Sequence, residues 1–204
     1  IHNDDPYGQG LGQLISDDLQ ALGAEVVLSL QVSVEQSTFP DELPQIMAAE
    51  PDAIFYAGYE VEAPYLRFEL VEAGVDAAFL ASDGAFLTTT IDEAGSAAEG
   101  MYVSAFGPRP GAAVDETWIK EYQAVEYRNP DTYSINGYSA LQVLAEGVRK
   151  AGTFDATLVA NAIRGLPAVE TPMGNLSYNA QGDLEEQKIY ILQVTNGDWT
   201  QIYP

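Results

Sequence analysis

Asn3-Asp4-Asp5-Pro6-Tyr7-Gly8-Gln9-Gly10 lies between what read as the last residues of a strand, Ile1-His2, and the start of a helix. The same placement recurs twice downstream. Ala57-Gly58-Tyr59-Glu60 closes the apolar run that begins at Ala53, and Ser82-Asp83-Gly84 follows Ala78-Phe79-Leu80-Ala81. In an open sheet of parallel strands, the loops that leave the carboxyl ends of the strands share one edge, and that edge is where ligands bind. Tyr7, Tyr59 and Asp83 are therefore the candidate ligand-binding residues, facing a common space.

Outward from these loops the chain alternates strand and helix. Leu11, Leu14, Ile15, Leu19 and Leu22 recur at helical spacing, and Gly23 is a natural stop. Residues 26–32 read as a strand. A helix over 41–49 carries Pro44 in its first turn, where a missing N–H costs little. The strand at 53–57 leads to a helix opened by Pro64 and stopped at Gly74, then come a strand at 78–81, a short helix at 88–94 and a strand at 101–105. Strands apolar on both faces and alternating with helices predict an α/β fold with a parallel sheet flanked by helices.

After Phe106 the pattern changes. Gly107-Pro108-Arg109-Pro110-Gly111 breaks regular structure, and three helices follow with no strand between them. The spacing predicts that the first buries Val114, Trp118, Tyr122 and Val125. The second is expected to bury Ile135, Tyr138, Leu141, Leu144 and Val148, and the third Leu158 and Ile163 behind an Asp155 cap. The tail reads as β: residues 174–178, then 188–195 turned by Asn196-Gly197 into 199–203 as a hairpin.

Composition narrows the function. With 204 residues and 47% hydrophobic content the chain can bury a sizeable core. Eight basic against 31 acidic residues, a formal charge of -23, argue against nucleic-acid or anionic-membrane partners, which need clustered Lys and Arg. There is no cysteine, so disulfides, thiolate metal sites and cysteine nucleophiles are excluded. A single histidine, His2, and no serine in a nucleophile-elbow context leave an enzyme hard to assemble, and no cofactor is expected. Gly8-Gln9-Gly10-Leu11-Gly12 lacks the Gly-x-Gly-x-x-Gly spacing of a dinucleotide loop. The cluster Asn3-Asp4-Asp5 reads as a solvated loop rather than a cation site, and Asp83-Gly84 taken alone reads as a turn or a helix cap, the commoner use of the pair, while its position at a strand end favours a ligand.

The chain resembles the substrate-binding proteins of ABC importers with a type I periplasmic-binding fold, specifically the branched-chain amino-acid (Leu/Ile/Val) group. The likeness is carried by Asp4-Asp5-Pro6-Tyr7-Gly8-Gln9-Gly10, by 51–59, by Ala73-Gly74, by Ser82-Asp83-Gly84, by Ala97-Ala98-Glu99-Gly100-Met101 and by Asn179-Ala180-Gln181-Gly182-Asp183, all in the family's order. It implies that residues 1–105 form the C-terminal lobe with its first strand truncated, 106–186 an incomplete, mostly helical part of the N-terminal lobe, and 187–204 a return to the C-terminal lobe. The chain is accordingly expected to be a fragment, with the carboxylate-binding groups in an absent amino-terminal part.

The resemblance also implies roles. Tyr7 and Tyr59 match the family's aromatic residues after the first and third strands, and Asp83 its acidic residue for the substrate's α-ammonium. Asp stands where some relatives have Glu, and Glu60-Val61 follow Tyr59 where many carry Tyr-Pro. The implied function is non-enzymatic: a small amino acid held between two lobes and delivered to an ABC permease, outside the cytoplasm, in the periplasm or extracellular, with a lipid anchor as one mode of attachment. A ligand-sensing ectodomain of the same fold, a receptor for an amide or aromatic acid, and a Rossmann-type oxidoreductase are the alternatives. The helix faces bearing Trp118, Tyr122, Leu141 and Leu144 are expected to lack their sheet, and such uncovered patches associate. Light scattering on the 204-residue chain alone should show dimers or larger species; a monodisperse monomer would count against the two-lobe assignment.

Overall fold

The computed structural model describes residues 1–203 and divides into two compact units. The first comprises residues 1–105 and the chain from Tyr190 onward, and the second comprises Phe106–Ile189.

In the first unit the elements run β1 (His2–Asn3), α1 (Pro6–Ala21), β2 (Gln31–Val32), α2 (Leu43–Ala49), β3 (Ala53–Tyr56), α3 (Ala63–Glu72), β4 (Ala78–Ala81), α4 (Thr88–Ala94) and β5 (Tyr102–Ala105). Strands β3, β4 and β5 pair in parallel, in the register Tyr56 to Ala81 and Ala81 to Val103. Strand β1 pairs in parallel with β2 and bridges to Ala57 on its other side, which extends the sheet. The α/β alternation expected from the sequence is thus observed, with each of α1, α2 and α3 opened by a proline at its first turn.

The strand expected over 26–32 is only two residues long. Its parallel partner, β1, supplies backbone at His2 and Asn3, and the His2 amide donates to Leu30 O, so residues 26–29 have no ladder to join. The face of α1 also differs from expectation. Leu14 and Leu22 are 63% and 84% exposed, and the residue of α1 that is buried is Gly8. The three glycines at 8, 10 and 12 all lie inside α1 rather than in a loop. Gly8 and Gly12 serve close packing instead, since a side-chain carbon at Gly8 would lie 2.0 Å from Asn3 Oδ1 and one at Gly12 3.0 Å from His2.

The core of this unit is built on the sheet. Tyr56 and Phe79 stack at 6.5 Å, and Leu66, Leu70, Met101 and Val103 close around them. The hairpin expected at the chain's end forms from β8 (Tyr190–Thr195) and β9 (Asp198–Tyr203), turned by Asn196 and Gly197, both with positive φ. Strand β8 adds antiparallel to β5. Trp199 of the hairpin packs edge-on against Phe86, at 5.6 Å, and its indole N–H donates to Leu87 O, so the tail pins the segment that follows β4.

The second unit has four helices, α5 (Pro110–Ala113), α6 (Glu116–Glu126), α7 (Thr132–Ala151) and α8 (Ala156–Arg164), and the small hairpin β6 (Val169–Thr171) with β7 (Gly174–Leu176). The proline-glycine stretch thus ends in a one-turn helix, and β6 is a strand the sequence pattern did not reveal. Asp155 caps α8 as expected, accepting from the Leu158 amide, and Asp131 with Ser134 forms a capping box on α7. The buried faces match the expectation only in part: Ile135 is buried as expected, and the face bearing Leu141 and Leu144 is open, as it should be if its sheet is absent. On α7 the buried residues are Thr132, Ile135, Ser139, Val143 and Gly147, while Tyr138, Leu141 and Leu144 are exposed; on α8 Val159 is buried and Leu158 is exposed. Gly147 decides this, because α8 approaches it so closely that a side-chain carbon there would stand 2.4 Å from Ile163. Val125 of α6 is exposed as well.

The core of the first unit should carry the stability of the chain. Phe79→Ala is expected to cost about 3–5 kcal/mol by urea unfolding, whereas Leu14→Ala on the open face of α1 should stay within about 0.5 kcal/mol.

Candidate functional site

Sheet order places the candidate residues. Strand β1 leads through α1 to β2 on one side, whereas β3 leads through α3 to β4 on the other, so the order of the strands reverses between β1 and β3 and the segments that follow them leave the same carboxyl edge. Tyr7 stands in the first turn of α1, after β1; Tyr59 follows β3; Asp83 follows β4. All three are half-buried.

The structure brings these residues together. The Tyr7 hydroxyl donates to Asp83 Oδ1 at 2.6 Å, and the Tyr7 and Tyr59 rings stack with centroids 5.4 Å apart and planes inclined by 21°. Two flat phenol rings and a carboxylate therefore share one rim on the first unit. Such rings offer apolar faces with a polar tip, and a carboxylate facing a cation forms a charge-assisted hydrogen bond.

Backbone proximity makes the rim compact. A side-chain carbon at Gly84 would lie 2.4 Å from Gly58 O, and one at Gly8 2.8 Å from Ala57 O, so the loops after β1, β3 and β4 can touch only because glycine stands at both contacts. Ser82, fully buried, clasps the second loop: its hydroxyl accepts from the Gly58 amide at 3.2 Å and donates to Gly58 O at 3.0 Å.

Two carboxylates that the sequence reading did not assign to the site hold the tyrosines. Asp5 Oδ1 accepts from the Tyr7 amide as the N-cap of α1 and also from the Tyr59 hydroxyl, each at 2.9 Å. Asp4 accepts from the Val34 amide, and Asn3 is fully buried. The acidic cluster expected to be a solvated loop is therefore built into the rim, with Asp4 alone exposed. The order Asp5-Pro6 was a legible capping signal; the bond from Asp5 to Tyr59 spans 54 residues and was not. The second carboxylate, Glu62, is fully buried beneath Tyr59 and accepts from its amide at 3.0 Å.

Burial pushes the Tyr7 phenol well above its usual range, reinforced by the hydrogen bond to Asp83, while Ser82 and the Gly84 backbone act weakly the other way. Tyr59 is shifted upward by desolvation and by its bond to Asp5. Burial, followed by the charge of Glu62, raises Tyr56 strongly.

Residues 1–198 match the periplasmic binding protein family. A Leu/Ile/Val-binding protein homolog from Brucella suis is 30% identical over 184 residues, which cover 90% of this chain and 49% of that protein. A leucine-, isoleucine-, valine-, threonine- and alanine-binding protein from Pseudomonas aeruginosa is 28% identical over 188 residues, 91% of this chain and 49% of the relative. The crystal structure of a leucine-binding protein from Thermotoga maritima superposes with a TM-score of 0.87 at 25% identity, covering 97% of this chain and 57% of that one. The chain spans about half the length of the relatives it matches.

The shifted phenols predict a pH response. A phenol whose pKa is raised on folding stabilises the fold below its unfolded value of 10.0, and that contribution is lost as pH rises further, because the unfolded chain then releases a proton the folded chain retains. Unfolding free energy should fall as pH is raised above 10.0, and less steeply in Tyr7→Phe. Equal slopes in denaturant titrations of the two would contradict the burial of Tyr7.

Proposed function

The chain belongs to the periplasmic binding protein family and has its type I fold, and on that premise we propose that it serves as a non-enzymatic receptor for a small amino acid, most consistent with a branched-chain one. The observation that carries this reading is the rim on which the stacked Tyr7 and Tyr59 rings lie beside the Asp83 carboxylate. Asp83 receives the ligand's α-ammonium, and the two rings grip its backbone and cover its aliphatic side chain. The residue types suit a zwitterion: an anion for the cationic end and apolar faces for the remainder.

In this reading the first unit belongs to the C-terminal lobe and supplies one wall of the binding site. The second unit belongs to the N-terminal lobe, whose remaining residues supply the groups for the ligand carboxylate. The relatives' names support amino-acid capture. We extend this to delivery to an ABC permease, and to a periplasmic or extracellular location.

Binding specificity tests the proposal. Isothermal titration of the full-length protein should give heat with Leu, Ile or Val and none with benzoate, which has no ammonium to meet Asp83. Asp83→Asn should weaken amino-acid binding by about 10-fold to 100-fold, the scale of one charge-assisted hydrogen bond. Heat with benzoate or an amide alone would overturn the substrate class, and an unchanged dissociation constant in Asp83→Asn would remove the ammonium role.

A further inference from the structure

Glu62 has no exposed surface, yet it is a carboxylate. Burying such a group is costly unless its oxygens are supplied with donors. Here three donors from two separate segments, the loop after β2 and the end of β3 with the loop that follows it, converge on it. The Glu35 amide donates to Oε1 at 2.7 Å; the Tyr56 hydroxyl and the Tyr59 amide donate to Oε2 at 2.8 and 3.0 Å. An apolar residue would leave all three donors unpaired, and a glutamine would turn one acceptor into a donor facing another donor.

The segments that meet there are those of the rim. Tyr59 carries the candidate ring. Glu35 lies in the loop after β2 with φ at 64°, and the adjoining Val34 amide donates to Asp4 in the loop after β1. Tyr56 ends β3 in the core. Tyr59 is consequently held by its hydroxyl on Asp5, its ring face on Tyr7 and its amide on Glu62, while its carbonyl accepts from the Ala63 amide at 3.1 Å. The first two lie at the rim, where a ligand would compete for them. The third is buried out of a ligand's reach.

We propose that Glu62 is a positioning residue for the binding rim, fixing the Tyr59 loop and the 33–36 loop against the end of β3; this rests on the receptor function proposed above. Its carboxylate does not touch the ligand. It sets where the Tyr59 ring stands before the ligand arrives, so its loss lowers affinity by way of Tyr59.

The test is a double-mutant cycle in the full-length protein with leucine as probe, read by isothermal titration, with Glu62→Gln, Tyr59→Ala and the pair. Glu62→Gln should weaken binding about tenfold when Tyr59 is present and less than about twofold in the Tyr59→Ala background. The same loss in both backgrounds, or a lowered melting temperature with affinity unchanged, would make Glu62 merely structural and overturn the proposal. If Glu62→Gln does not fold, Tyr56→Phe removes one of the three donors and is read in the same cycle, with a loss of about threefold expected only when Tyr59 is present. Hydrogen exchange at the Tyr59 amide separates this proposal from the receptor reading, because it needs no ligand. It should quicken about tenfold or more in Glu62→Gln, or in Tyr56→Phe. If no amino acid binds the parent protein, the receptor reading falls and the exchange rate alone decides Glu62: unchanged exchange overturns its positioning role, and faster exchange sustains it.

Discussion

Contact between the loops at the carboxyl edge of the sheet is the constraint on which the rest of the site depends. Gly8 and Gly84 sit where any side chain would collide with the backbone of the loop after β3. Once these loops meet, their side chains have few places to go. Tyr7 and Tyr59 are forced face to face, and their hydroxyls reach the carboxylates of Asp83 and Asp5. A larger residue at either glycine would separate the loops and cost the rim its geometry without altering Tyr7, Tyr59 or Asp83 themselves.

The rim is tied to the core from below. Tyr56 is both a core ring, stacked on Phe79, and a donor to Glu62. The segment after β4 that carries Asp83 is braced by Phe86 and Leu87, against which Trp199 of the terminal hairpin packs and donates. Residues more than a hundred positions apart in the chain thus converge on one loop. Preorganisation of this kind lowers the ordering cost of binding, since rings already held in place lose less freedom when a ligand arrives. The strong negative charge of the chain takes no direct part in this: the carboxylates at the rim are engaged one by one with phenols and amides.

The second unit shows where periodicity misleads. Helix α7 carries apolar residues on more than one face; spacing alone selected Ile135, Tyr138, Leu141, Leu144 and Val148, of which Ile135 is buried, whereas the face turned to α8 is the one bearing Val143 and Gly147. A glycine in a helix looks like a weak point in sequence, but here it is the contact that lets α8 approach. The same holds for α1, where the leucine stripe is largely open and Gly8 is packed. In each case the smallest residue marks the interface, because close backbone approach excludes larger ones.

From the sequence alone came the alternation of strands and helices, the proline starts of α2 and α3, the Asp155 cap, the Asn196-Gly197 turn and the three strand-to-helix junctions bearing Tyr7, Tyr59 and Asp83. These follow from rules that act over a few residues: backbone freedom, capping and the period of apolar positions. Tertiary structure decided which helix faces are buried, how short β2 is, and that Asp5, Ser82 and Glu62 hold the rim together. Those outcomes depend on partners 24 to 54 residues away as well as on near neighbours. A carboxylate in a sequence does not reveal which distant donors will close around it, because that choice is made by packing.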